Sequence, residues 1–384
     1  MRSRKIVTSE CVQKWVLSWL SAIPLPDHGW LCTAAVVWKV LVRSAARRQT
    51  VSATCAEFGA PSLQGILNAL REGLPKRATA LERQLVTALQ AHIPRGVLRR
   101  QWQVAIDWHL IPYYGQPAAS DQELIRSAAR SGTTRFHTYA TACVLQQGQR
   151  YTVALTWVKR NESTVAVLQR LRSQMLQIGL KIKTLLLDRQ FFSAAVTKWL
   201  IDQRQPFLMP VSLRGRKPKP GRRAKGLRAL KRRPAGWYSW TQGTRPNTVT
   251  FWVCVTYRSY LDHRSRKRHN KKLLFAAWRV NGSPPEVAQQ YRGRFGIESS
   301  YRQLNQARIR TCTRDPNIRL LFVALALLLR NVWVWIHGTV LCNPSGECSP
   351  IRLGRLPFSQ LLDWLARLIE QQLHNHSPPR PIYP

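Results

Sequence analysis

A chain of 384 residues that is 45% hydrophobic and holds 15 tryptophans can bury a large core, which excludes a disordered polycation. Sixty Lys and Arg against 18 Asp and Glu give a formal charge of +42, far more than solubility needs, so a polyanion is the expected partner. The basic residues run along the whole chain rather than massing beside an apolar anchor, which favours nucleic acid over a membrane surface.

Residues 1–20 lack a long apolar core followed by a small-residue cleavage site, so no secretory signal is expected and the chain is placed in the cytoplasm. Residues 1–98 read as a helical N-terminal DNA-binding domain. Val16, Trp19 and Leu20 share a face of its first segment, and a second segment covers 30–48. Val51–Phe58, the turn Gly59-Ala60-Pro61 and residues 62–72 have the lengths of a helix-turn-helix, and an ordinary helical hairpin fits them equally well.

From Trp102 the period changes to that of strands. Residues 103–107 are a short apolar strand ending on Asp107, and runs at 135–145 and 151–158, joined by a turn at 147–149, are two more. A helix capped by Asn161 carries Leu168, Leu171, Met175 and Ile178 at helical spacing and stops at Gly179, and a fourth strand, 185–188, ends on Asp188. Three strands, a helix and a strand predict an α/β core with a mixed sheet, the order of the ribonuclease H-like fold.

That core is expected over 99–211 and 286–340, interrupted by a basic, β-rich subdomain at 212–285 with strands at 248–258 and 272–280. One helix is predicted over 286–308. The apolar run at 320–329, interrupted by Arg330 and Asn331, falls short of the roughly 20 uninterrupted residues of a membrane span and reads as a buried core helix. Residues 341–384 form a C-terminal helical region, amphipathic over 358–373, with a proline-rich tail from 377. The eight cysteines are scattered; Cys342 and Cys348 are the one close pair, at a spacing unlike that of a zinc site, so reduced thiols are expected.

In a chain so poor in acid, carboxylates on apolar strands stand out. Asp107 closes Val104-Ala105-Ile106 and Asp188 closes Leu185-Leu186-Leu187, where open α/β sheets place their ligand sites. On the helix that follows, residues 291, 294, 298, 301, 302 and 305 fall near one face, which puts Glu298 between Arg294 and Arg302. A lone Glu between arginines is commonly a surface ion pair, and the two aspartates are what make it a candidate. Three carboxylates offer the hard oxygen ligands that a pair of divalent ions requires for in-line phosphoryl transfer.

At these residues the chain resembles bacterial insertion-sequence transposases of the DDE class, the group with a Tyr-Arg-Glu-Lys signature. Tyr291, Arg294 and Glu298 match its Tyr-x2-Arg-x3-Glu spacing; Asp188-Arg189-Gln190-Phe191-Phe192 is similar to its second-aspartate motif; Asp107 with Ile111-Pro112-Tyr113-Tyr114-Gly115 is similar to its first. The resemblance covers roughly 100–340. It implies a ribonuclease H-like core, two Mg²⁺ or Mn²⁺ ions on Asp107, Asp188 and Glu298, and cutting at the terminal inverted repeats of a mobile element with joining of the 3′-hydroxyl to target DNA. It also implies work as a homodimer in a synaptic complex, with Tyr291 and Arg294 contacting the terminal DNA.

The signature lysine falls on Asn305, which can hydrogen-bond a phosphate but brings no charge, leaving Arg302 or Arg308 to supply it. Arg189, Arg302 and Asn305 join the expected DNA contacts. Trp237, Trp240 and Trp252 fit either core packing or stacking on an extruded base, and His109 reads as packed or bonded to backbone. Two other readings keep the same residues: a metal-dependent nuclease that cuts without joining, and a non-catalytic DNA-binding protein derived from a transposase.

Overall fold

The computed structural model describes residues 7–59, 61–116, 122–145, 150–213, 224–244, 248–261, 266, 268–341 and 354–374. Ala60, the turn at 147–149, the start of the basic run at 214–223, Cys342, Cys348 and the tail from 377 lie outside them.

Six helices open the chain: α1 (Ser9–Leu20), α2 (Ala34–Arg47), α3 (Val51–Phe58), α4 (Leu63–Gly73), α5 (Ala78–Gln90) and the short α6 (Arg95–Arg99). Each of the first four starts at a hydroxyl, of Thr8, Thr33, Thr50 and Ser62, that accepts the backbone N–H three residues on. Gly59 stops α3 with φ +72, a left-handed conformation that spares glycine a Cβ clash, so α3 ends at the expected glycine.

The sheet has nine strands among the described residues: β1 (Gln101–Pro112), β2 (Leu124–Arg130), β3 (Thr133–Val144), β4 (Thr152–Trp157), β5 (Lys181–Leu187), β6 (Phe207–Pro210), β7 (Gly236–Gln242), β8 (Val249–Leu261) and β9 (Arg268–Trp278). They lie in the order β2-β3-β1-β5-β6-β9-β8-β7, with β4 also on β3; β1, β5 and β6 run parallel and the other pairs antiparallel. The inserted strands therefore continue the central sheet through β6 and β9 instead of folding back on themselves.

Between strands lie α7 (Thr164–Gln177) and α8 (Ala194–Asp202); α9 (Pro284–Arg292), α10 (Phe295–Gln306), α11 (Pro316–Trp335) and α12 (Phe358–His374) follow the sheet. Ser163, not Asn161, caps α7: its hydroxyl accepts the Ala166 N–H at 3.1 Å while Asn161 sits at φ +61 in the preceding turn. The single helix expected over 286–308 is two. Around Gly293 and Arg294 the backbone bonds tighten to a three-residue step, Arg294 N–H to the Tyr291 carbonyl and Ile297 N–H to the Arg294 carbonyl, which breaks the α-helical ladder.

Residues 316–340 are long and apolar enough to cross a membrane, yet 94% of their most apolar window is buried in the fold. The helix carries Arg330 and Asn331, the polar pair that interrupts its apolar run, inside the core because both are bonded. Arg330 donates to the Gln303 side chain at 2.9 Å, and Asn331 accepts the Thr152 N–H at 2.9 Å while donating to the carbonyls of Thr152 and Leu89. Asn331 thus satisfies the outer edge of β4, which has a strand on one side only; Gln174, Glu82 and Gln90 do the same for Leu155, Trp157 and Val153.

Replacing the fully buried Asn331 by Leu leaves three backbone groups unpaired, and urea denaturation is expected to show a loss of about 2–4 kcal/mol. A loss under about 0.5 kcal/mol would mean that water reaches this edge.

Candidate active site

Asp107 does not end its strand: β1 runs five residues further, to Pro112. What ends there is the parallel neighbour. Ile106 pairs with Leu187, the last residue of β5, so Asp107 is the first residue of β1 beyond it and Asp188 begins a single 3₁₀ turn, Arg189–Phe191. The two aspartates therefore stand side by side at the carboxyl end of β5, where the sheet opens.

The third carboxylate arrives on α10, which crosses the face of β1 carrying Asp107 and His109. Tyr301 fixes that crossing: its hydroxyl donates to the Asp107 carbonyl at 2.9 Å, lies 2.9 Å from the Thr141 hydroxyl, and its ring packs on His109 at 4.7 Å. Glu298 sits one turn earlier.

At the centre is Arg294. One guanidinium nitrogen lies 2.9 Å from Asp107 Oδ2; another lies 3.2 Å from Glu298 Oε1 and 3.5 Å from Asp188 Oδ1. This arginine is 7% exposed, and the 3₁₀ step after Gly293 turns it inward onto the three carboxylates. Tyr291 is buried as well, its hydroxyl donating to the Leu187 carbonyl at 3.1 Å and its ring packed on Phe275 and under the Arg294 guanidinium.

Burial pushes the Asp107 carboxyl above the ordinary aspartate range despite the Arg294 charge and the Trp108 N–H that Oδ1 accepts at 2.8 Å. Arg294, although burial opposes its charge, is held above its usual value by Tyr291, Asp107 and Asp188. Three carboxylates around one guanidinium leave a local excess of negative charge inside a strongly basic protein. Among the described residues, no three His, Cys, Asp or Glu side chains stand close enough to hold an ion as they are, since Arg294 fills the space between them. The donor set itself, all carboxylate oxygen, is of the hard-ligand kind that Mg²⁺ or Mn²⁺ takes.

The other candidates lie around this centre. Arg189 is exposed beside Asp188 and lines a cleft of about 370 Å³ together with Lys231, Lys271, Lys272, Arg292 and the half-exposed Phe295. Arg302 and Asn305 are exposed on α10 and touch none of the three carboxylates. His109 is buried and held near a pKa of about 4, first by burial and then by Arg308, with Asn305 acting in the opposite sense, so it is neutral at physiological pH. Trp237 bonds the Gly282 carbonyl and Trp240 packs on the core, while Trp252 is exposed on β8. Two contributors escaped the sequence reading: Gln190, whose amide reaches Asp107 Oδ1 at 3.4 Å, and Tyr301, for which its place on the face with Glu298 was the available signal.

A mixed sheet in this order, crossed by a helix, is the ribonuclease H-like core expected from the sequence. Residues 99–332 match the family described as Transposase DDE domain, and the chain belongs to that family of DNA transposases. Its fold is similar to that of a solved piggyBac transposase, described as a synaptic complex with hairpin DNA, with a TM-score of 0.55 and 13% identity over 99% of this chain and 84% of the other. At that identity the likeness is one of fold. No curated protein matches the chain.

Proposed function

We propose that this protein cuts DNA at the terminal inverted repeats of a mobile element and joins the 3′-hydroxyl to target DNA by two-metal phosphoryl transfer, acting in the cytoplasm as a homodimer in a synaptic complex. The observation that carries this reading is the convergence of Asp107, Asp188 and Glu298 on the single guanidinium of Arg294. Asp107, Asp188 and Glu298 would hold Mg²⁺ or Mn²⁺, which when bound supplies neutralising charge and an activated oxygen nucleophile.

The chain's own residues do the rest. Tyr291 and Tyr301 lock the backbone at Leu187 and Asp107, so the two aspartates keep their separation without loop rearrangement. Arg294 compensates the carboxylates in the free protein and is within reach of a scissile phosphate, whose oxygens are the equivalent bidentate partner. Arg189 and Arg302, exposed on either side of the centre, take the flanking backbone, and Arg302 supplies the charge that Asn305 lacks.

The test is incubation of purified protein with Mg²⁺ or Mn²⁺ on linear DNA carrying the gene's flanking repeats, with Asp188→Asn beside it. Cleavage at the repeat boundary and joined products from the wild type alone are expected. Cleavage without joining would make it a nuclease, and binding without cleavage under either metal a non-catalytic DNA-binding protein.

A further inference from the structure

A second cleft, of about 500 Å³, opens at the far end of β1. Tyr113 and Tyr139 form part of its wall; Arg308, Arg310 and Arg314, from the segment between α10 and α11, and Arg319 of α11 supply its charge, and among the described residues no carboxylate lines it. The side chains of Arg308, Arg310 and Arg314 make no hydrogen bond or ion pair with any described residue. Arg319, 8% exposed, donates to the Thr313 carbonyl and lies over the Tyr113 ring.

Among the described residues, neither nearby acid lines the cleft. The Asp315 side chain is committed to the Asn317 and Ile318 amides at the start of α11, and Glu123, which Arg319 feels weakly, stands outside the lining. Burial holds the Arg308 guanidinium below the ordinary arginine range; Tyr139 opposes that shift, and Arg48, Arg319 and Arg310 reinforce it by repulsion. Four guanidinium groups gathered in a cleft that no described carboxylate lines repel one another, a cost that an anion with several oxygens removes by accepting charge-assisted bonds from two or more of them.

The position says which anion. The Arg310 N–H donates to the Gln49 carbonyl and Arg310 bridges Thr50, the residue that caps α3, so the cleft lies where the N-terminal helix pair meets the catalytic sheet. Asp107 and Pro112 are five residues apart on β1, about 17 Å at ~3.4 Å per residue. Along a duplex that is about five base pairs.

We propose that this cleft is a phosphodiester subsite that holds one or two backbone phosphates of duplex DNA about five base pairs from the scissile bond, an inference that rests on the transposase reading above. Duplex bound at the carboxylates and reaching toward α3 would pass over it.

The test is equilibrium binding of the full-length protein to the duplex of the cleavage assay over a range of salt. In Arg310→Ala/Arg314→Ala, both exposed positions, the slope of log K against log salt is expected to fall by about 1 to 2, since each lost phosphate contact removes about 0.9. Arg310→Lys/Arg314→Lys should keep the slope. Lys181→Ala/Lys183→Ala, which removes the same charge from exposed residues at the opposite end of β5, should leave it unchanged and so controls for net charge.

Ethylation of the phosphate about five base pairs from the cut should weaken wild-type binding and leave the alanine double variant unaffected. A slope unchanged in Arg310→Ala/Arg314→Ala, with wild type binding normally, would overturn the subsite and leave the transposase reading standing. Thermal stabilisation by pyrophosphate that this variant loses while its slope is unchanged would overturn it in favour of a small anion. Wild type that binds no duplex at any salt would sink the transposase reading itself.

Discussion

Asp107→Asn is expected to lower metal-dependent strand cleavage by about 10³-fold or more while DNA binding survives. The size follows from the role: an ion held between carboxylates stabilises charge in the transition state by several kcal/mol, and each 1.36 kcal/mol is a factor of ten in rate. The amide is the right probe because it keeps the shape of the side chain and can still accept the Trp108 N–H that Asp107 Oδ1 accepts now. Loss of one negative charge should, if anything, tighten the grip on DNA phosphates. Single-turnover cleavage beside a filter-binding isotherm separates the two effects, and a variant that cuts within tenfold of wild type would remove Asp107 from the chemistry.

Arg294→Ala should fold less stably in the absence of metal, by about 3–5 kcal/mol, because it leaves a buried carboxylate without its partner. Asp107 is 14% exposed at its side chain and Arg294 9%, so solvent offsets little of this loss. The sign of the pH dependence follows from Asp107. Its carboxyl already titrates above the ordinary aspartate value, and losing Arg294 raises it further.

A folded-state value above the unfolded one means that the folded protein binds more protons between the two, so this contribution to stability falls as pH rises. The deficit of Arg294→Ala should therefore be smallest at acid pH and grow as pH rises. Mn²⁺ should reverse much of it, by about 2.7 kcal/mol at a hundred times its dissociation constant, and should stabilise wild type less, since there it competes with the guanidinium. Thermal melts with and without Mn²⁺ measure both effects, and equal Mn²⁺ stabilisation of the two proteins would show that Arg294 and the metal do not share the site.

Asp107, Asp188 and Glu298 stood out because acids are scarce and two of them follow apolar triplets, a pattern local to a few residues. That Asp107 lies in mid-strand was not visible, since the opening of the sheet there is set by where β5 ends, 80 residues later in the chain. The inward turn of Arg294 depends on a 3₁₀ step that leaves helical periodicity almost intact, so spacing alone reads through it as one helix. β6 is too short and β2 too polar and exposed to show as strands; each exists because a neighbour supplies its hydrogen bonds. The long apolar helix was legible as core, although its continuity through Arg330 and Asn331 required partners on α10 and β4.

The most direct measurement of a shared metal centre is to load the DNA-bound protein with Fe²⁺ in place of Mg²⁺, start peroxide-driven radical chemistry, and map where the polypeptide breaks. Breaks clustered near Asp107, Asp188 and Glu298 together, and absent in Asp188→Asn, are expected if the three carboxylates hold the ions. Breaks elsewhere, or a pattern that Asp188→Asn leaves unchanged, would contradict it.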